Sequence, residues 1–89
     1  MPFTRVMKIG AVGTDVSDMQ SMLFDVFDYW KDKTEVPTTG QYGVKTSWAV
    51  RNFQKRQNIN PTGIMDANTY SKLQWCWDYY YQWATSQGS

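Results

Sequence analysis

Thr39-Gly40-Gln41-Tyr42-Gly43-Val44-Lys45-Thr46, running on to Val50, recurs in outline as Thr62-Gly63-Ile64-Met65-Asp66-Ala67-Asn68-Thr69, running on to Leu73. The matched pairs Thr39/Thr62, Gly40/Gly63, Thr46/Thr69 and Val50/Leu73 keep one spacing. The shared phrase is a Thr-Gly turn, two partly apolar residues, a Gly or Asp, and a Thr three residues later. An amphipathic segment then follows. Glycine supplies the positive φ that such turns use, and Asp or Thr oxygens accept the unpaired N–H groups of a first helical turn. The phrase reads as a tight turn that aims the chain into a helix start, used twice. Two copies are too few for a solenoid, which places the repeat inside one small domain.

Upstream, Gly10-Ala11-Val12-Gly13-Thr14-Asp15-Val16 is a two-glycine turn with a cap, Thr14 or Asp15, for a first helix starting near Val16. Val16, Met19, Leu23, Val26 and Phe27 form its apolar stripe, with Gln20 beside them. Phe3, Val6 and Ile9 are the residues expected to pin the N-terminal segment to the core. Residues 31–38 form a polar loop. A second helix starts near Val44 to Thr46 and runs to about Gln57, with Ala49, Val50 and Phe53 inward and Trp48 to one side. Asn58-Ile59-Asn60-Pro61 ends it, because Asn tolerates the left-handed conformation and Pro cannot continue a helix. A third helix, capped by Asp66, carries Tyr70, Leu73, Cys76 or Trp77, and Tyr80, and extends to about residue 83. Residues 84–89 read as a tail. Any β-type pairing is expected between the two Thr-Gly turns and over a few residues only. Gln20 and Gln54 are expected to bond turn backbone, since a turn-rich domain has many backbone groups to satisfy. The predicted fold class is all-α: a small three-helix bundle with structured Thr-Gly turns, one domain over residues 1–89.

Composition narrows the function. The 89 residues are 42% hydrophobic and 17% aromatic, which excludes disorder. Nine Lys and Arg stand against eight Asp and Glu, so there is no electrostatic footprint for nucleic acid and no polybasic membrane patch. Helix 2 carries Lys45, Arg51, Lys55 and Arg56, but residues 57–65 are longer than the turn of a helix-turn-helix, which argues further against DNA. With no His, imidazole catalysis and His-ligated zinc are excluded for this chain, and no metal site or cofactor is expected. The single Cys76 cannot form an internal disulfide. No apolar run is long enough to span a bilayer, and residues 1–13 lack the apolar stretch of a signal peptide.

Three blocks in order resemble the type 1 peptidoglycan-binding domain. Gly10-Ala11-Val12-Gly13-Thr14-Asp15-Val16-Ser17-Asp18-Met19-Gln20 is similar to the family's opening Gly-x-x-Gly-x-Asp-Val-x-x-Leu-Gln. Thr39 to Gln54 is similar to its Gly-x-aromatic-Gly-x-x-Thr-x-x-Ala-Val-x-x-Phe-Gln, and Thr62 to Leu73 to its closing Thr-Gly-x-x-Asp-x-x-Thr-x-x-x-Leu. The resemblance covers residues 8–73. Two features depart from it. Asp28-Tyr29-Trp30 lacks the glycine that usually ends helix 1, so that helix is expected to run on into a longer loop. The aromatic run Gln74-Trp75-Cys76-Trp77-Asp78-Tyr79-Tyr80-Tyr81-Gln82-Trp83 is outside the pattern.

The resemblance implies a non-catalytic module that binds peptidoglycan, through glycan or stem peptide, in the bacterial cell wall or on a phage. It would target an attached hydrolase, as in endolysins, or a phage or spore structure. A domain this small offers no deep cleft for the paired carboxylates of a glycosidase, so no catalytic residue is expected. Glycan binding uses flat aromatic faces together with amides, carboxylates or Arg. On that chemistry the candidate ligand-binding residues are Tyr42, at an exposed turn, with Trp48, Arg51 and Asp15. The alternative is a protein-interaction or assembly module that uses the aromatic helix 3, with Trp75, Tyr79 and Trp83 as its interface.

Overall fold

The stripe Val16, Met19, Leu23, Val26 and Phe27 is fully buried, and it sits on the first of three helices. The computed structural model describes residues 2–88 and contains α1 (Thr14–Tyr29), α2 (Val44–Arg56) and α3 (Ala67–Gly88). Ala49, Val50 and Phe53 of α2 and Leu73 of α3 close the core with Met7, Met19, Tyr42 and Met65. Contacts climb α1 and α3 together. Met22 receives the Tyr70 hydroxyl, Asp25 the Trp77 indole N–H, and Tyr29 meets Tyr80 and Trp83. The two helices therefore run parallel, and α3 continues past the end of α1.

Both Thr-Gly turns are held by a glutamine from a neighbouring helix. The Gln20 amide donates to the Gln41 carbonyl and the Thr46 hydroxyl, each at 2.9 Å, and its oxygen accepts from Gly40 N–H at 2.9 Å. The Gln54 amide donates to the Ile64 carbonyl at 2.9 Å and the Thr69 hydroxyl at 3.1 Å, and its oxygen accepts from Gly63 N–H at 2.9 Å. The two sets correspond residue for residue across the repeat. Gly40 and Gly63 have φ of 82° and 77°, which an L side chain rarely adopts. A Cβ on Gly63 would also meet Ser47 Oγ at 2.5 Å.

Several boundaries differ from expectation. Neither α1 nor α2 has a side-chain cap; Gly13 and Gly43 occupy the N-cap positions. Asp66 does cap α3, accepting from Thr69 N–H at 2.8 Å. Helix α1 ends at Tyr29 without a glycine, because Lys31 takes φ 61° in its place. Asp32 N–H then donates to Phe27 C=O and Lys31 N–H to Asp28 C=O, which completes a Schellman stop. Asn58, φ 57°, ends α2 in the same way, with Ile59 N–H on Gln54 C=O. At the other end, α3 is helical as far as Gly88, through most of the segment read as a tail; Ser89 lies outside the described residues. Once a helix is started, each added residue gains a backbone hydrogen bond.

The β pairing also has a different partner. Each turn pairs with the N-terminal segment, through antiparallel bridges Met7–Met65 and Val12–Gln41. Extended backbone alternates its faces, so Met7 is the buried anchor and its neighbour Val6 is exposed; Ile9 is exposed in the turn that follows.

Two outcomes follow for stability. Gln20→Ala and Gln54→Ala each strand buried turn N–H and C=O groups, and each should cost roughly 2 kcal/mol or more in urea unfolding, with similar values for the two. Lys31→Gly keeps the Schellman bonds and removes a left-handed lysine. It should raise stability by roughly 1 kcal/mol, read as a higher thermal midpoint.

Candidate functional site

The first clamped turn delivers the chain to Val44, the opening residue of α2, which is 75% exposed. Three surface cavities meet at that residue. One, of about 460 Å³, runs along the first Thr-Gly turn and the Gly10-Ala11-Val12 stretch. A second, also about 460 Å³, lies between Lys33, Thr34, Glu35, Lys45 and Trp48. The third, about 240 Å³, is lined by Ile9, Ser47, Trp48 and Arg51. Val44, Ser47, Trp48 and Arg51 recur at positions i, i+3, i+4 and i+7, so one stripe of α2 supplies most of this wall. Trp48 is 56% exposed and Ile9 59%, which gives the surface an apolar centre. Its rim is cationic: Lys55 stands over the Trp48 ring at 5.8 Å, and Lys45 pairs with Glu35 at 3.0 Å.

Of the four candidate ligand residues, Trp48 and Arg51 come together on this wall. Tyr42 does not present a free ring. It is 2% exposed, and its hydroxyl donates to the Gly63 carbonyl at 2.6 Å. Burial pushes its phenol well above the ordinary value. The turn that was expected to expose Tyr42 folds it inward instead, where it links the first Thr-Gly turn to the second. It still lines an edge of the first cavity.

Asp15 is already engaged. Its carboxylate accepts from Arg5 Nε and Thr4 Oγ1, both at 2.8 Å, and from Val16 N–H at 3.0 Å. The Arg5 hydrogen bond, then that of Thr4, lowers its pKa to about 2. Asp15 thus ties the N-terminal segment to the start of α1, away from Trp48.

The α3 aromatics split as their spacing requires. Cys76 is buried, and burial raises its thiol pKa. Trp77 is half-buried with its indole N–H on Asp25. Trp75 is 67% exposed and stacks on Tyr79, with centroids 6.2 Å apart, while Trp83 packs on Tyr29 at 4.9 Å. Tyr79 and Trp83 line a shallow cavity of about 270 Å³ with Gln82 and Ser86. Among the described residues no group of His, Cys, Asp or Glu is placed to hold a metal, and no helix is long and apolar enough to cross a membrane.

Residues 12–73 match the family described as "Putative peptidoglycan binding domain". The chain belongs to that family. No curated protein matches. Among solved structures, the SleB N-terminal domain is 30% identical with a TM-score of 0.71, covering 85% of this chain and 99% of that one. A fused Zn-dependent amidase/peptidase/peptidoglycan-binding-domain protein from Clostridium acetobutylicum is 31% identical with a TM-score of 0.67. That match covers 80% of this chain and 29% of the Clostridium protein. The peptidoglycan-binding family match stops at residue 73, so the exposed rings of α3 lie beyond it.

Sequence reasoning missed Val44 and Ile9 as surface groups. The available signal was the i, i+3, i+4, i+7 stripe of α2 opposite its core face. Ile9 carries no such signal; it is exposed in the turn that follows the Met7–Met65 bridge.

The Asp15 tie has a defined pH dependence. A carboxyl with a lowered folded pKa stabilises above its ordinary value of 3.8, and that contribution is lost as pH falls through about 2. The Asp15 carboxyl carbon should titrate near 2 by NMR, and Arg5→Ala should return the midpoint toward 3.8.

Proposed function

We propose that this domain binds peptidoglycan without cleaving it, and that it holds an attached hydrolase, or a phage or spore structure, at the bacterial wall. The observation that carries the reading is the exposed Ile9–Val44–Trp48 surface beside Arg51, on a domain of the peptidoglycan-binding family. A ring face next to a cation and hydroxyls suits a ligand made of sugars and short peptides. The fused amidase/peptidase of Clostridium acetobutylicum supports an attached catalytic partner.

The non-catalytic reading is supported by the carboxylates. Asp15 and Asp18 both line a cavity of about 230 Å³, but Asp15 is locked to Arg5 and Thr4 and is not free to donate a proton. One shallow site of this kind binds weakly, so retention at the wall depends on tethering or on several copies.

A second reading is favoured by one observation: Trp75 and Tyr79 form an exposed stack on α3, outside the cavities that Val44 lines. Under it, Trp75, Tyr79 and Trp83 meet a protein partner.

The test is co-sedimentation of the chain with insoluble sacculi, beside Trp48→Ala and Trp75→Ala. Trp48→Ala should weaken retention about tenfold, equivalent to about 1.4 kcal/mol, and Trp75→Ala should leave it unchanged. A wild-type chain that stays in the supernatant sinks the wall-binding reading.

A further inference from the structure

We infer that Arg51 reads a carboxylate, so that the part of peptidoglycan recognised on the Trp48 surface is the anionic stem peptide and not the neutral glycan strand. This rests on the wall-binding reading above and specifies its ligand.

The chain has three arginines. Arg5 is paired with Asp15 at 2.8 Å and Arg56 with Asp32 at 3.1 Å. Arg51 has no carboxylate and no hydrogen-bond acceptor among the described residues, and its Nε is shielded from solvent. A buried unsatisfied donor is uncommon and costly, and a guanidinium with no acid of its own keeps its charge for an incoming anion. Arg51 is also not a loose surface side chain. Its Nη2 lies 3.7 Å from where a Cβ on Gly63 would sit, so the guanidinium rests against the second Thr-Gly turn. That turn is itself fixed by Gln54 and Tyr42.

The surroundings select among anions. Arg51 lines the 240 Å³ cavity with Ile9, Val44, Ser47 and Trp48. A guanidinium presents paired N–H donors that match a carboxylate or a phosphate, and partial desolvation strengthens the match. Ile9 and Val44 offer nothing to the hydration shell of a bare phosphate, but they can receive the methyl and methylene groups that flank a peptide carboxylate. Glu35, the only acid lining the neighbouring cavity among the described residues, is paired with Lys45 and so repels an incoming carboxylate less. A glycan strand whose lactyl carboxyls are all amide-linked carries no charge for Arg51 to meet.

The experiment is an NMR titration of the full chain with four probes: a soluble stem tetrapeptide, the same peptide with its carboxylates amidated, the peptide-free disaccharide with its lactyl carboxyl amidated, and inorganic phosphate. The tetrapeptide should shift the Trp48 indole and Arg51 Nε–H signals and saturate. Amidation should weaken binding at least tenfold. Arg51→Met should weaken it about tenfold, Arg51→Lys less, and Arg51→Met should keep the wild-type thermal midpoint because no protein partner is lost. Equal binding of the disaccharide, tighter binding of phosphate, or full peptide binding by Arg51→Met overturns the inference. Sacculi that retain the chain while the tetrapeptide shifts nothing overturn it and leave wall binding standing. Sacculi that do not retain the chain overturn both.

Discussion

Two buried glutamine amides, Gln20 and Gln54, hold the turns on which everything else rests. Each supplies both a donor and an acceptor to a Thr-Gly turn, and each also reaches the Thr hydroxyl in the helix that follows. A primary amide suits this work because its N–H2 and C=O lie in one plane and match an adjacent backbone C=O and N–H. The polar groups of a turn buried in a core must be satisfied by something other than water. Among the described residues there are only isolated bridges and no sheet ladder, so these amides do most of it, helped by hydroxyls such as those of Thr39, Thr62 and Tyr42. The amides therefore convert two flexible glycine turns into fixed corners.

Fixed corners decide what α2 shows to solvent. Its inward face, Ala49, Val50 and Phe53, is committed to the core, which turns Val44, Ser47, Trp48 and Arg51 outward as a stripe. The N-terminal segment completes the surface. Met7 pairs with Met65, Asp15 holds Arg5 and Thr4, and Ile9 comes to rest beside Val44. Tyr42 sits beneath as a strut between the two corners. Exposed side chains on a short stretch of chain braced by a rigid scaffold keep their geometry without a large core.

Helix α3 solves a separate problem. It runs parallel to α1 and outlasts it, so its last turns pack on the end of α1. Tyr29 is that end, and it gathers Tyr79, Tyr80 and Trp83 around it. Aromatic pairs of this kind contribute about 0.5–1.5 kcal/mol each beyond area burial. Trp30 does the corresponding work at the loop: it stacks on Phe53 at 6.0 Å and carries the Arg56 guanidinium at 4.2 Å. The chain closes its small core at this end with rings where a larger domain would use further elements.

The sequence by itself determined the three helices, the core stripes of α1 and α2, the Asn58 stop, the Asp66 cap and the turn-bonding work of Gln20 and Gln54. Each is written in local periodicity or in a residue type whose backbone preference acts within a few positions. Only the tertiary structure decided that Tyr42 points inward, that Asp15 belongs to Arg5, that Lys31 takes a left-handed conformation, and that Met7 rather than Val6 or Ile9 anchors the N-terminal segment. It also brought Ile9 to the stripe of Trp48 and Arg51 on α2. These outcomes depend on partners distant along the chain, such as Gly63 for Tyr42 and Met65 for Met7. A side chain's burial is fixed by which distant surface arrives to cover it, and local pattern carries no record of that arrival.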